Sequence, residues 1–137
     1  MIIFQEEQIK ALFAYCIRGL PNECCGLLAG TIKDGVKTVT KVFYLKNIDQ
    51  SPEHFSMDMK EQFRVISQIR KNNFALLGNF HSHPATPSRP SAEDIRLAFD
   101  PSLSYVIISL QDKENPVINS FYINDQVVEK EELQIVK

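Results

Sequence analysis

Two of the three histidines in this 137-residue chain stand two apart, as His81-Ser82-His83, and Asp94 follows eleven residues after the second. Residues i and i+2 of a strand project to one face, so both imidazoles can converge on one ion at a strand end. Asp94 falls in the first turn of the helix expected after a short loop, where its carboxylate offers a third ligand. Imidazole and carboxylate suit zinc, and three protein ligands leave one coordination position open. An open position marks a catalytic rather than a structural zinc site, because water bound there loses a proton near neutral pH.

The same residues have simpler uses. Ser91-Ala92-Glu93-Asp94 reads as a helix N-terminus, with Ser91 as N-cap and Asp94 as its capping-box partner. The two roles are compatible, since a serine hydroxyl can accept from a backbone N–H while donating its own hydrogen elsewhere. A lone strand histidine is as well explained by ordinary hydrogen bonding, but two on one face followed by a placed aspartate are not. Glu23, between a helix and an apolar run, reads by itself as a solvated turn residue.

The elements that must position these groups follow from periodicity. Ile9, Leu12, Phe13, Cys16, Ile17 and Leu20 lie on one helical face between Glu6 and Leu20, and Pro21-Asn22 ends that helix. Cys24–Ala29 and Val36–Leu45 read as strands, with turn chemistry over Gly30–Gly35. Met59, Phe63, Ile66 and Ile69 form the apolar side of a second helix from about Asp58 to Asn72. Phe74–His81 reads as a buried strand, Pro84–Pro90 as a proline-rich loop, and Ser91–Phe99 as a short helix giving Ile95, Leu97, Ala98 and Phe99 to the core. Strands follow at Tyr105–Leu110, Val117–Ile123 and Gln126–Val136. With no repeat or linker, helices and strands share one core around a mixed sheet, an α/β or α+β class in one domain over residues 1–137.

Composition narrows the function classes. Fifteen Lys and Arg against 17 Asp and Glu give a net charge of -2 without a basic run, which argues against nucleic acid as a partner. No apolar stretch reaches spanning length and no targeting signal opens the chain, so the expectation is a cytoplasmic protein without membrane contact. Cys16, Cys24 and Cys25 make neither a disulfide framework nor a zinc ribbon and are expected as buried, reduced thiols.

The motif Glu23, then His81-Ser82-His83, seven residues, Ser91, two residues and Asp94 resembles that of the JAMM (JAB/MPN+ domain) zinc metalloproteases at every position. Glu23-Cys24-Cys25-Gly26-Leu27-Leu28-Ala29-Gly30 is similar to the family's Glu-bearing strand, and Gly78-Asn79-Phe80 is typical before its histidines. The resemblance covers nearly the whole chain. It implies a deaminase-like fold with a curved mixed sheet between helices. It also implies Zn2+ held by His81, His83 and Asp94, Glu23 as the general base for water, and Ser91 as hydrogen-bond donor to the oxyanion of amide or isopeptide hydrolysis. A nucleoside deaminase is disfavoured, because its H-x-E and P-C-x-x-C signature is absent.

Length and the stretch Ser51-Pro52-Glu53-His54-Phe55-Ser56-Met57-Asp58 look like those of stand-alone prokaryotic members. Those imply a substrate: a ubiquitin-like sulfur-carrier protein cut after its C-terminal Gly-Gly, for cysteine release or tail processing. The short run from Asp94 to the Tyr105 strand leaves little room for a ubiquitin-gripping insertion. Hydrolysis of small peptides and a non-catalytic MPN scaffold are the alternatives, and homodimer formation stays open. His54 and Ser82 are expected in surface contact and backbone packing rather than in catalysis.

Overall fold

Alternating side chains of the strand after Glu23 are buried on both of its faces, as in a strand covered by a layer on each side. In the computed structural model, which describes Met1–Lys137, Leu28 packs with Ile9, Leu12 and Cys16 of the first helix, whereas Leu27 and Ala29 pack with Val65 and Ile69 of the second. The elements are β1 (Ile2–Gln5), α1 (Glu6–Arg18), β2 (Cys25–Lys33), β3 (Val36–Leu45), α2 (Met59–Lys71), β4 (Ala75–His83), α3 (Ala92–Arg96), β5 (Ser104–Ser109), β6 (Val117–Asn124), β7 (Val127–Glu131) and β8 (Leu133–Val136). They form one mixed eight-stranded sheet, ordered β7-β6-β5-β4-β2-β3-β1-β8, with α1 and α2 on opposite faces.

The sheet curls strongly. Its edge strands β7 and β8 are separated in sequence by Glu132 alone, so the two edges must meet there. Ile2 N–H donates to the Glu132 carbonyl at 2.9 Å, and a buried polar cluster stands at the closure. The Lys37 ammonium donates to Ser104 Oγ at 2.8 Å, and the Ser104 and Ser120 hydroxyls donate to Glu131 Oε1 at 2.6 and 2.7 Å. Lys37 and Glu131 are 5% and 4% exposed, so each charge depends on these partners. Burial lowers the Lys37 pKa.

Several sequence expectations need correction. The turn occupies only Asp34-Gly35, because β2 continues through Lys33. Gly30 serves a close approach instead: a Cβ there would lie 1.9 Å from the Thr38 carbonyl oxygen, at a register shift between β2 and β3. The helix after Ser91 ends at Arg96, and Leu97 and Phe99 are 49% and 84% exposed rather than in the core. On α2, Val65 and Ile69 carry the burial while Met59 and Phe63 face solvent, since β3 and β4 meet only the later turns of one side. Gln126–Val136 is two strands, broken where the chain passes from one sheet edge to the other. Ile2–Gln5 is a strand that periodicity left unassigned, its residues placed by parallel pairing with β3 and β8.

Candidate metal centre and active site

His81 and His83 both lie within β4, two residues apart on the face that α2 covers, and both are buried. Asp94 reaches them from α3. His81 Nε2, His83 Nε2 and Asp94 Oδ2 stand 3.1 Å from one another in all three pairs. Three acceptor-capable atoms so close cannot all be joined by protons of neutral imidazoles, and a cation resolves the conflict. The three atoms are close enough together for one ion to be held by all of them. The donor set therefore fits a divalent metal ion.

The surrounding contacts fix the orientation of two of these side chains. His83 Nδ1–H donates to the Pro87 carbonyl at 3.0 Å, which turns the Nε2 lone pair to the centre. Asp94 is held by a reciprocal capping box: its N–H donates to Ser91 Oγ at 3.0 Å, and Ser91 N–H donates to Asp94 Oδ2 at 2.9 Å. The Ser91 hydroxyl hydrogen stays free for another acceptor. His81 is set by packing, its ring stacked on Phe55 at a centroid distance of 4.6 Å, and its Nδ1 has no partner. Burial alone would raise the Asp94 carboxyl, but hydrogen bonds to His81 and His83 outweigh it and hold it far below the usual carboxylate range.

Glu23 arrives by strand register. Antiparallel pairing of Cys25 with His81, continued by the hydrogen bond from Ser82 N–H to the Cys24 carbonyl, sets Glu23 opposite His83. It is not the solvated turn residue its local sequence suggests. Only 6% of it is exposed, and burial pushes its carboxyl up to about 8, with His83 opposing and the Asp94 and Glu93 charges adding to the rise.

Sequence reasoning missed Asn47. Its side-chain amide donates to the carbonyls of Glu23 at 3.0 Å and His54 at 2.9 Å, and Glu23 N–H donates to the Ser51 carbonyl, so the β3–α2 loop and Glu23 brace each other. That loop carries Phe55 over His81, while His54 Nδ1 pairs with Glu93 Oε2 at 2.8 Å across to α3. The distinctive Ser51–Asp58 stretch was the available signal, but which ring its phenylalanine covers is a tertiary fact. Between α2 and α3 runs an apolar groove of about 400 Å³, lined by Phe55, Met57, Ile66, Leu97, Phe99 and Tyr105, and ending at His81 and Asp94.

Glutamate, two histidines, serine and aspartate thus come together from the segment before β2, from β4 and from the N-terminus of α3, and a family model described as prokaryotic homologs of the JAB domain matches residues 5–124. The chain belongs to this prokaryotic JAB family. It is similar to the CysO-cysteine peptidase of Mycobacterium tuberculosis, 28% identical over 137 residues that cover 100% of this chain and 92% of that protein. It is also similar to the desampylase of Pyrococcus furiosus, 36% identical over 73 residues, 53% of this chain and 49% of that one. The solution structure of a Desulfitobacterium hafniense protein superposes with a TM-score of 0.92 at 52% identity, covering 100% of this chain and 94% of that one. The curved sheet between helices is the JAB fold, and no helix is long and apolar enough to cross a membrane.

Proposed function

We propose that this JAB protein is a cytoplasmic zinc peptidase that hydrolyses the amide bond after the C-terminal Gly-Gly of a ubiquitin-like sulfur-carrier protein. The observation that carries the proposal is the mutual 3.1 Å contact of His81, His83 and Asp94 with buried Glu23 placed opposite His83. A scaffold would have no use for that convergence. Three free, buried cysteines suit a reducing compartment.

Zinc held by His81, His83 and Asp94 would supply a Lewis acid for water activation and carbonyl polarisation. Glu23 accepts the proton of the attacking water and returns it to the leaving amine nitrogen. Burial raises its pKa to about 8, and the positive charge of a bound ion would lower it, so that one group could take and give the proton. Ser91, whose oxygen already accepts from Asp94 N–H, aims its free hydrogen at the carbonyl oxygen as negative charge develops there. The apolar groove takes the carrier's tail, and two glycines present bare backbone where the path reaches Phe55 and α3.

The names of the mycobacterial and archaeal relatives support this substrate class. The test is incubation of the zinc-loaded protein with CysO-cysteine, with the products read by mass spectrometry. One new carrier species ending in Gly-Gly is expected, and alanine at either glycine should suppress it strongly. No cleavage would refute the assignment, and equal cleavage of unrelated peptides would favour a small-peptide hydrolase.

A further inference from the structure

On the side of the centre formed by His83 and Ser91 lies a second, smaller cavity of about 220 Å³, lined by His83, Thr86, Pro87, Arg89, Pro90 and Ser91. It differs from the apolar groove in size and in carrying an arginine. It is smaller than the roughly 300–1,000 Å³ sites that enclose drug-sized ligands. Pro87 and Pro90 supply apolar walls, Thr86 and Ser91 bring hydroxyls, and its one charged side chain besides the imidazole is Arg89. The Arg89 guanidinium makes no ion pair or hydrogen bond within the chain; the six ion pairs all lie elsewhere.

The loop that carries Arg89 is rigidly built. Thr86 O accepts from Ser109 Oγ at 2.6 Å, Ser88 Oγ donates to Ile107 O at 2.6 Å, and Ser88 O accepts from Asn119 Nδ2 at 3.2 Å. Pro87, which also orients His83, and Pro90 flank the arginine, and its own N–H donates to Pro87 O at 2.9 Å. Such anchoring fixes the backbone of Arg89 beside the cavity, and its exposed side chain has no partner of its own.

We infer that this cavity is the leaving-group site and that Arg89 binds the free α-carboxylate of a single amino acid attached after Gly-Gly. The inference rests on the peptidase function proposed above. In the reaction, water oxygen bonds to the glycine carbonyl carbon and the C–N bond breaks. The leaving amine takes the proton from Glu23, and the released amino acid keeps its carboxylate on Arg89. A guanidinium matches that carboxylate with two parallel hydrogen bonds. A lysine inside a protein conjugate has its carboxyl tied up in a peptide bond and offers no carboxylate, so the site favours release of a terminal amino acid over cutting protein conjugates.

The test uses the zinc-loaded protein and two probes: CysO carrying a C-terminal cysteine with a free carboxylate, and the same protein ending in cysteine amide. The wild type should cleave the acid with a kcat/KM at least about tenfold above that for the amide, the scale of a charged hydrogen bond. Arg89→Gln should lose about that factor on the acid, mainly through KM, with the amide unchanged; Arg89→Lys should recover part of it. Amide cleavage also reports that each variant is folded and active. Equal wild-type cleavage of acid and amide, or an equal loss on both in Arg89→Gln, overturns the carboxylate site and leaves the peptidase function standing. Cleavage of neither probe overturns both.

Discussion

Ser82 and Cys24 hold each other twice: Ser82 N–H donates to the Cys24 carbonyl at 2.9 Å, and Cys24 N–H donates to the Ser82 hydroxyl oxygen at 2.8 Å. Ser82, fully buried between the two histidines, thereby locks β4 to the segment that bears Glu23. Its side chain extends the strand register by one more bond, beyond the last paired residue of β2. The middle residue of His81-Ser82-His83 thereby positions the segment that carries Glu23, the base proposed above.

Ser82→Ala should leave the Cys24 N–H buried without a partner and cost about 1–3 kcal/mol in denaturant unfolding. Turnover should fall by more than zinc content does, because the histidines keep their strand while Glu23 is loosened. Unchanged stability would show that the N–H finds another acceptor.

Purified protein should hold about one zinc per chain, and His83→Ala or Asp94→Asn should lose most of it. Inductively coupled plasma mass spectrometry after dialysis measures this directly. Full occupancy in both variants would break the ligand assignment.

Glu23→Gln should retain zinc and lose roughly a hundredfold or more in turnover, the usual worth of a positioned general base. Amide and carboxyl have nearly the same shape, so folding should survive. In metal-free wild type, a folded pKa raised to about 8 means that the ordinary unfolded carboxyl ionises first as pH rises. Stability tied to Glu23 is therefore present below about pH 4.3 and lost progressively up to about 8, and chelator-treated Glu23→Gln should lack that decline.

At the sheet closure the sign reverses. Burial alone would raise Glu131, but hydrogen bonds from Ser104, Tyr122 and Ser120, with the charge of Lys37, outweigh it and hold its pKa below the usual value. A carboxylate with a depressed folded pKa stabilises the protein above about pH 4.3 and ceases to do so as pH falls through the folded value. Glu131→Gln should flatten this acid limb of an unfolding-midpoint titration and cost about 3 kcal/mol near neutrality, since the Met1 amine loses a buried ion-pair partner and Lys37 loses the negative charge it reaches through Ser104. An unaltered acid limb would mean that other carboxylates dominate it.

His81, His83, Ser91 and Asp94 were legible in the amino-acid sequence because local geometry positions them. The two-residue repeat of a strand sets both imidazoles on one face, and a capping box needs only four consecutive residues to aim Asp94. The helix α1 and the strand β3 were legible for the same reason, their apolar periods being contained in one segment. Glu23 was legible only through the family motif, for its partner His83 lies sixty residues away and the β2–β4 register alone brings them together. The stacking of Phe55 on His81, the burial of Lys37 against Ser104 and the meeting of β7 with β8 are likewise long-range matters. Exposure of Phe63 and Phe99 was invisible as well, because periodicity tells which side of a helix is apolar but not how far the sheet extends beneath it. The local chain thus determined where the proposed ligands stand and point, while packing of distant segments decided what faces them, since pairing and burial depend on contacts that no short stretch encodes.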